Sequence, residues 1–204
     1  RIMSGKLDDG VAAVYVASSV SGSSGIITDI FAIKNGNLTN ISLSSESGTS
    51  VQTLRNYYVY ADDIDGDGIL ELPSLITMKQ TQDSYDASSQ YIICWYAMTS
   101  DGKKVPKRYT YHNYLGGWYV ELDGSIAERF TVTQKGSSYE FSLWDETMTT
   151  AEKLMTVYAL TGQRREEQAV AENRFILHRG DATIYSADLE MASAAYGMSK
   201  DSLI

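Results

Sequence analysis

A nine-residue acidic run in the first half of the chain carries the clearest chemical pattern. Residues 63–71 read DIDGDGILE, which places carboxylates at relative positions 1, 3, 5 and 9 and glycines at positions 4 and 6. Calcium takes about six to eight oxygen ligands in flexible geometry, so closely spaced acidic side chains on a tightly turned backbone can enclose it. Gly66 and Gly68 permit that turn because glycine adopts positive φ without steric cost. The pattern predicts a Ca²⁺ site formed by four carboxylates and one main-chain carbonyl: Asp63, Asp65, Asp67, Ile69 and Glu71.

The same run has a second interpretation, an unmetallated Asp/Gly turn at the surface of a sheet. Four carboxylates within nine residues repel one another, so we expect the empty loop to be strained or mobile. A divalent cation removes that repulsion. The match at all four carboxylate positions favours the metal site over the plain turn.

The residues around the loop exclude an EF-hand. Position 12 of an EF-hand loop is a bidentate Glu, whereas here it is Ser74, and Pro73 precedes it. Residues 57–61 read YYVYA, which predicts a strand rather than a helix before the loop. We therefore expect the order strand, acidic loop, strand, with the second strand at 69–78.

The loop and its flanks resemble the FG-GAP/integrin-type repeat, whose calcium loop reads D-x-D-G-D-G-x-x-[D/E] between two strands of a propeller blade. The four carboxylates of residues 63–71 occupy the acidic positions of that motif, and Leu72-Pro73 continues as those repeats often do. The resemblance covers residues 57–75. It implies calcium binding within a blade-like repeat.

The spacing of turn dipeptides is compatible with internal repeats. Asp9-Gly10, Asp67-Gly68 and Asp123-Gly124 lie 58 and 56 residues apart, and each precedes an apolar segment. Propeller blades have repeats of this size, although turn dipeptides also recur by chance in β proteins. The first copy lacks the acidic residues of the loop, so we expect no second ion there; the ligand positions hold Gly5, Leu7 and Ala13.

The remaining pattern predicts a mainly β protein. Fifteen Tyr, only two Pro and many Ser and Thr suit pleated, half-buried strands. Asn35-Gly36, Asp101-Gly102 and Lys135-Gly136 each separate two apolar segments, as the turns of β-hairpins do. We expect antiparallel sheets with propeller-blade-like repeats over residues 1–145. Residues 146–204 then form a small α+β part, either separate or packed on the same core.

The expected elements of this α+β part differ in their patterns. Residues 154–160 fit both a strand and a short helix, whereas the charged run 164–172 predicts a short helix. Segments 174–177 and 183–187 flank Gly180-Asp181 and predict a hairpin. Residues 190–196 predict one or two helical turns.

Composition excludes several classes of protein. Seventeen Lys plus Arg against 26 Asp plus Glu give a net charge of −9, which argues against nucleic-acid binding. The hydrophobic fraction of 43% supports a core, and no apolar run approaches the roughly 18 residues that span a bilayer. The single Cys94 excludes an internal disulfide and a cysteine-based zinc site, and we expect it to be buried and unreactive.

The wider pattern is similar to a group of predicted lipoproteins of anaerobic Gram-positive bacteria. The similar segments, besides the acidic loop, are TDIFAIKNG at 28–36, GWYVEL at 117–122 and VYALTG at 157–162. The resemblance implies an exported, extracytoplasmic cell-surface protein. Its membrane attachment would be an N-terminal anchor that is missing from this chain, which starts at Arg1. The resemblance brings no known activity.

Other candidate groups also have purely structural interpretations. His112 and His178 have no zinc-site spacing, and the serines lack a G-x-S-x-G elbow. Trp95, Trp118 and Trp144 form either cross-strand core packing or a sugar-stacking platform. Five carboxylates are either solvated strand ends or a source of the two acids that glycoside hydrolysis needs: Glu121, Asp123, Glu140, Asp145 and Glu146.

These patterns predict a non-enzymatic, extracytoplasmic calcium-binding β module that is a binding or structural part of a surface lipoprotein. Its partner would be a protein or a glycan at the cell surface. The alternative is a carbohydrate-binding or carbohydrate-acting surface protein. A third possibility is an adhesion domain that binds protein through the face of the acidic loop.

Overall fold

A computed structural model describes residues 1–57, 59–81 and 90–203. Over these residues the protein is mainly β, with 49% in strands, 11% in helices, and three antiparallel sheets. The chain divides into two compact units. The first contains Arg1–Ile76 and Ile92–Leu122, and the second contains Thr77–Tyr91 and Asp123–Ile204.

The first unit is built on two four-stranded sheets in which each strand pairs with the next along the chain. The first sheet consists of β1 (Ile2–Lys6), β2 (Ala12–Ser19), β3 (Ile26–Lys34) and β4 (Asn37–Asn40). The second consists of β5 (Leu72–Thr77), β6 (Tyr91–Met98), β7 (Lys104–Asn113) and β8 (Trp118–Leu122). Within the described residues no sheet closes on itself.

The hairpins predicted from the turn dipeptides are confirmed. Asn35-Gly36 links β3 to β4, and both residues have positive φ, 52° and 77°. This is the backbone geometry that matches the twist of the paired strands, so Lys34 pairs directly with Asn37. Asp101-Gly102 lies in a longer connection between β6 and β7, in which Gly102 has a φ of 82°.

Alternating burial along β2 and β3 produces the core of the first unit. The buried face of β2 carries Ala13, Tyr15 and Ala17, while its other side chains are exposed or half-buried. Successive side chains of a strand point to opposite faces, which explains the period of two. Ala13 and Tyr15 belong to a buried cluster that also contains residues from outside the first sheet: Leu7, Leu72, Tyr96 and Met98.

The strand predicted at 57–61 is wrong for the described residues of that segment; Tyr58 lies outside them. Backbone hydrogen bonding in this segment involves a side chain instead, since the Val59 carbonyl accepts a hydrogen bond from Arg55 Nε at 2.6 Å. Among the described residues, this segment and the chain beyond the loop are joined by an isolated bridge between Asp62 and Glu71. The strand predicted at 69–78 is correspondingly shorter and forms β5.

The second unit contains one five-stranded sheet with the order β12-β13-β11-β10-β9. Its elements are β9 (Phe130–Lys135), β10 (Ser138–Trp144), β11 (Ala151–Thr161), α1 (Arg165–Ala169), β12 (Phe175–Arg179), β13 (Thr183–Leu189) and α2 (Lys200–Leu203). The Lys135-Gly136 hairpin, the short helix, the β12–β13 hairpin and a 3₁₀ turn at Met191–Tyr196 are as expected. The ambiguous segment 154–160 lies inside β11.

Residues on both sides of position 145 share the sheet of the second unit, since β10 pairs with β11 along its length. The predicted division into 1–145 and 146–204 stays a prediction. Cys94, expected to be buried, is only half-buried. In the described part of the chain, none of the helices has the length and apolar character required to cross a lipid bilayer.

Candidate metal centre

The acidic loop is held at both ends by backbone hydrogen bonds within the first unit. Lys6 N donates to Gly68 O and Leu70 N donates to Lys6 O, both at 3.1 Å, which joins the end of β1 to the loop. Asp62 and Glu71 exchange two further bonds at 3.0 and 2.9 Å. The hydroxyl of the buried Tyr15 lies 3.3 Å from the carbonyl oxygens of Lys6 and Leu70. The loop is therefore closed at its base.

Asp63 is positioned by the turn that the two glycines allow. Its Oδ1 accepts a hydrogen bond from Gly66 N at 2.8 Å, and its Oδ2 accepts one from Gly68 N at 2.9 Å. Gly66 and Gly68 have φ of +80° and +82°, a left-handed conformation that costs an L-residue roughly 1–2 kcal/mol. The tight turn predicted at the two glycines is therefore present, and its backbone curls around the Asp63 carboxylate.

Asp65 and Asp67 also accept hydrogen bonds from the loop backbone. Asp67 N donates to Asp65 Oδ1 at 3.4 Å, and Ile69 N donates to Asp67 Oδ1 at 2.7 Å. Asp65 has one partner from outside the loop, because Arg108 Nε on β7 lies 3.5 Å from its Oδ2. Asp65 therefore faces a cation that the protein itself supplies.

Glu71 is the buried member of the group, with none of its surface exposed. Its Oε2 accepts a hydrogen bond from Ile64 N at 3.2 Å, whereas its Oε1 is buried and accepts none from the described residues. Burial chiefly, together with the nearby charges of the loop aspartates, raises the pKa of Glu71 to about 7 against the opposing Ile64 hydrogen bond. A carboxylate buried without a partner for one oxygen is costly, and a bound cation would remove that cost.

The structure brings three of the predicted ligands together. Asp63, Asp65 and Glu71 each contribute a carboxylate oxygen, and these oxygens lie within 4.8 Å of one another. Oxygens at this separation can contact one ion at about 2.3–2.6 Å. Asp67 is outside this group of three, and its Oδ1 is occupied by the Ile69 amide. The Ile69 carbonyl ligand stays a prediction.

The first Asp-Gly copy has a different role in the structure. Leu7 is fully buried, and Asp8 N donates to Met98 O at 2.9 Å. The Asp8 carboxylate pairs with Lys107 on β7, and Asp9 Oδ2 accepts a hydrogen bond from Ser100 N at 3.0 Å. In the described residues the only grouping of three or more possible metal-ligating side chains is the one in the 63–71 loop.

The other sequence candidates have individual partners. Glu121 binds Arg108 through both carboxylate oxygens, and Glu140 pairs with Lys135 at 2.7 Å. Asp145 accepts hydrogen bonds from the amides of its own turn, chiefly that of Thr149, and these hold its pKa down at about 2. Trp95 and Trp144 are buried, as core packing predicts, and Trp118 is half-buried.

Sequence reasoning missed Arg108. Its only signal in the sequence is its place in a polar strand, KVPKRYTYHN, that is distant from residues 63–71 along the chain. The contact with Asp65 depends on how β7 packs beside the loop.

Comparison of the chain with protein-family models, with curated proteins and with solved structures gives no match. The functional argument therefore depends on the residues of the chain itself.

Proposed function

We propose that this chain is a non-enzymatic, extracytoplasmic calcium-binding β module, a structural or binding part of a surface protein. The observation that carries the proposal is the state of Glu71. This carboxylate is fully buried, and one of its oxygens has no hydrogen-bond partner in the described part of the chain. A carboxylate oxygen of Glu71 also lies within 4.8 Å of carboxylate oxygens of Asp63 and Asp65. A divalent cation would supply the missing partner.

Calcium fits this donor set better than other common ions. The group consists of carboxylates, and hard oxygen ligands suit Ca²⁺ or Mg²⁺, whereas typical zinc sites include Cys or His ligands. Mg²⁺ requires near-ideal octahedral geometry, whereas Ca²⁺ accepts the irregular arrangement of a short loop. Extracellular modules bind calcium with dissociation constants of about 10⁻⁴–10⁻³ M, which suits a site exposed to the outside of a cell.

The ion would act as a structural element. The loop is bridged to the end of β1 and leads along the chain into β5. A cation that fixes the loop therefore also fixes the junction of two sheets in the first unit. Binding to the folded state alone stabilises it by mass action, by about 2.7 kcal/mol when calcium is present at 100 times the dissociation constant.

The finer proposal is that the loop and the sheet after it form an FG-GAP-type, propeller-blade-like repeat. A propeller blade is a four-stranded antiparallel sheet. The finer proposal is supported by the sheet that follows the acidic loop, in which four strands pair in chain order: β5, β6, β7 and β8.

Thermal unfolding of the chain in EDTA and in millimolar calcium tests the proposal. We expect calcium to raise the melting temperature and Asp65→Ala to abolish the increase. Asp123→Ala is the matched control, because Asp123 also lies in an Asp-Gly turn but its carboxylate accepts hydrogen bonds from Ser125 of its own turn. This control should retain the full calcium response. Identical melting curves of the unmutated chain in EDTA and in calcium would contradict the proposal.

A further inference from the structure

Two neighbouring strands of the first unit and the turn between them carry three stacked rings. His112 on β7 pairs in register with Tyr119 on β8, and their ring centroids are 5.4 Å apart with planes 21° from parallel. Tyr114, just beyond the end of β7, stacks on His112 at 5.6 Å and 19°. We call Tyr114, His112 and Tyr119 the aromatic strip. Tyr119 is 64% exposed and Tyr114 is 61% exposed, so the strip lies open to solvent.

The aromatic strip is held in place by buried groups beneath it. His112 Nε2 hydrogen-bonds Thr110 Oγ1 at 2.9 Å, and Trp95 Nε1 donates to the same oxygen at 2.8 Å. Thr110 and Trp95 are both buried, and the Trp95 ring lies 6.4 Å from the imidazole. Because the central ring is fixed before any ligand arrives, little conformational entropy is lost on binding.

A charged pair lies next to the aromatic strip on the same face. Glu121 is paired in register with Thr110, one same-face position along the strands from the His112–Tyr119 pair. Arg108 Nη1 donates to Glu121 Oε1 at 3.0 Å and to Oε2 at 2.8 Å. The pair therefore presents hydrogen-bond donors and acceptors side by side at the edge of an apolar surface.

We propose that the aromatic strip and the Arg108–Glu121 pair form a carbohydrate-binding site, an activity additional to calcium binding that shares Arg108 with the acidic loop. A pyranose ring has a C–H face that packs on an aromatic ring, and its vicinal hydroxyls both donate and accept hydrogen bonds. The phenol rings of Tyr114 and Tyr119 match the first property, and the charged pair matches the second. Sites for small ligands combine apolar surface with a few placed polar groups in this way.

A proline-rich peptide is the competing ligand for an exposed aromatic surface. A polyproline segment offers only carbonyl acceptors, so it can accept hydrogen bonds from Arg108 but donates none to Glu121. A sugar satisfies both members of the pair. The composition of the site therefore favours the carbohydrate.

An array of hexasaccharides built from glucose, N-acetylglucosamine, xylose or mannose, followed by calorimetry with the best binder, tests the proposal. We expect millimolar or tighter binding that weakens about tenfold or more in Tyr119→Ala and in Tyr114→Ala, because each truncation removes a ring from the stack. Tyr119→Phe should bind as the unmutated chain does, since it keeps the ring face. The matched control is Leu38→Ala on β4, which truncates another side chain that is 68% exposed.

Three results would overturn the proposal. The first is that no hexasaccharide binds at millimolar concentration, and the second is that binding survives in the double variant Tyr114→Ala/Tyr119→Ala. The third is that a decaproline peptide, and no sugar, binds the unmutated chain and is lost in the same variants. Melting curves of each variant verify that it is folded, which is expected because both tyrosines are exposed.

Discussion

Arg108 Nε lies 3.5 Å from Asp65 Oδ2, so a side chain of β7 contacts a carboxylate of the acidic loop. The guanidinium also holds Glu121, and the charges of Glu121 and, more weakly, Asp65 raise the pKa of Arg108. Lys107, next along the strand, pairs with Asp8, and the charges of Asp67 and Glu71 contribute to raising its pKa. The negative loop is therefore partly neutralised by cations of the protein, and these compete with a metal ion.

We expect Arg108→Gln to increase the affinity of the loop for calcium. The substitution removes a positive charge close to the site and frees the Asp65 carboxylate, and both changes strengthen calcium binding. For partly exposed charges at this separation the gain is a few-fold to about tenfold, and it shrinks as salt is added. Calcium titration by calorimetry at low and at high ionic strength measures it.

The control for this prediction is Arg164→Gln. Arg164 forms a comparable exposed pair with Glu167 at 3.1 Å in the second unit, so its loss changes the net charge equally but not the loop. An affinity in Arg108→Gln that is equal to or lower than that of the control would show that Arg108 does not compete with the ion.

We expect the free energy of unfolding to depend on pH because Glu71 is buried. Its pKa is about 7 in the folded protein against 4.5 for the ordinary group, so the folded state binds more protons than the unfolded state between these values. The stabilisation from protonated Glu71 is complete below pH 4.5 and is lost as the pH rises to about 7. We expect a loss on the order of 2–3 kcal/mol in the free energy of unfolding of the calcium-free chain.

Urea unfolding in EDTA across this pH range measures the effect, with Glu71→Gln as the reference. The glutamine side chain stays neutral, so the free energy of unfolding of this variant should not decrease through ionisation at position 71. The difference in free energy of unfolding between the two chains therefore separates the effect of Glu71 from that of other titrating groups. Calcium binding should have the opposite dependence and strengthen as the pH rises through about 7, since the ion needs ionised Glu71. A constant difference between the two chains from pH 4.5 to pH 7 would contradict the prediction.

Gly5 on β1 allows Leu70 of the loop to pack close to the strand. A Cβ at position 5 would overlap Leu70 Cγ, so we expect Gly5→Ala to destabilise the protein by about 1–3 kcal/mol, the usual cost of overpacking. Because Leu70 N also donates to Lys6 O, the displacement should weaken calcium binding as well. Chemical denaturation and calcium titration measure the two effects.

A second substitution separates this contact from a general intolerance of alanine in β1. In Gly5→Ala/Leu70→Ala the overlap is gone, so the combined loss of stability should be smaller than the sum of the single losses by at least about 1 kcal/mol. Ser4→Ala, at an exposed neighbour on the same strand, should have little effect. Additive losses in the double variant would show that the two side chains do not interact.

Much of the fold follows from local sequence patterns. The Asn35-Gly36 hairpin was predictable because positive φ at two successive residues restricts the choice of residue strongly. The turn around Asp63 was predictable for the same reason, since Gly66 and Gly68 supply the required backbone. The segment 57–61 was mispredicted because its apolar pattern suits a strand, whereas Arg55 satisfies its backbone at Val59.

The candidate site was only partly predictable. The sequence spacing identified the acidic residues, but it did not distinguish Asp67, which is outside the group of three, from Asp63 and Asp65. It also did not show that Glu71 is fully buried with one carboxylate oxygen that accepts no hydrogen bond from the described residues. Nor did it show that rings of β7 and β8 stack. Burial of a residue depends on every element packed around it, and neither Lys6 nor Tyr15 is near Glu71 in the chain.

The amino-acid sequence by itself determined the local features: the strands, the tight turns and the concentration of negative charge in residues 63–71. These depend on backbone sterics and on charges that are close along the chain. Only the tertiary structure decided that Arg108 faces Asp65 and that Glu71 is removed from water. Both depend on contacts between residues far apart in sequence, whose energies are set by distance and burial in the folded protein.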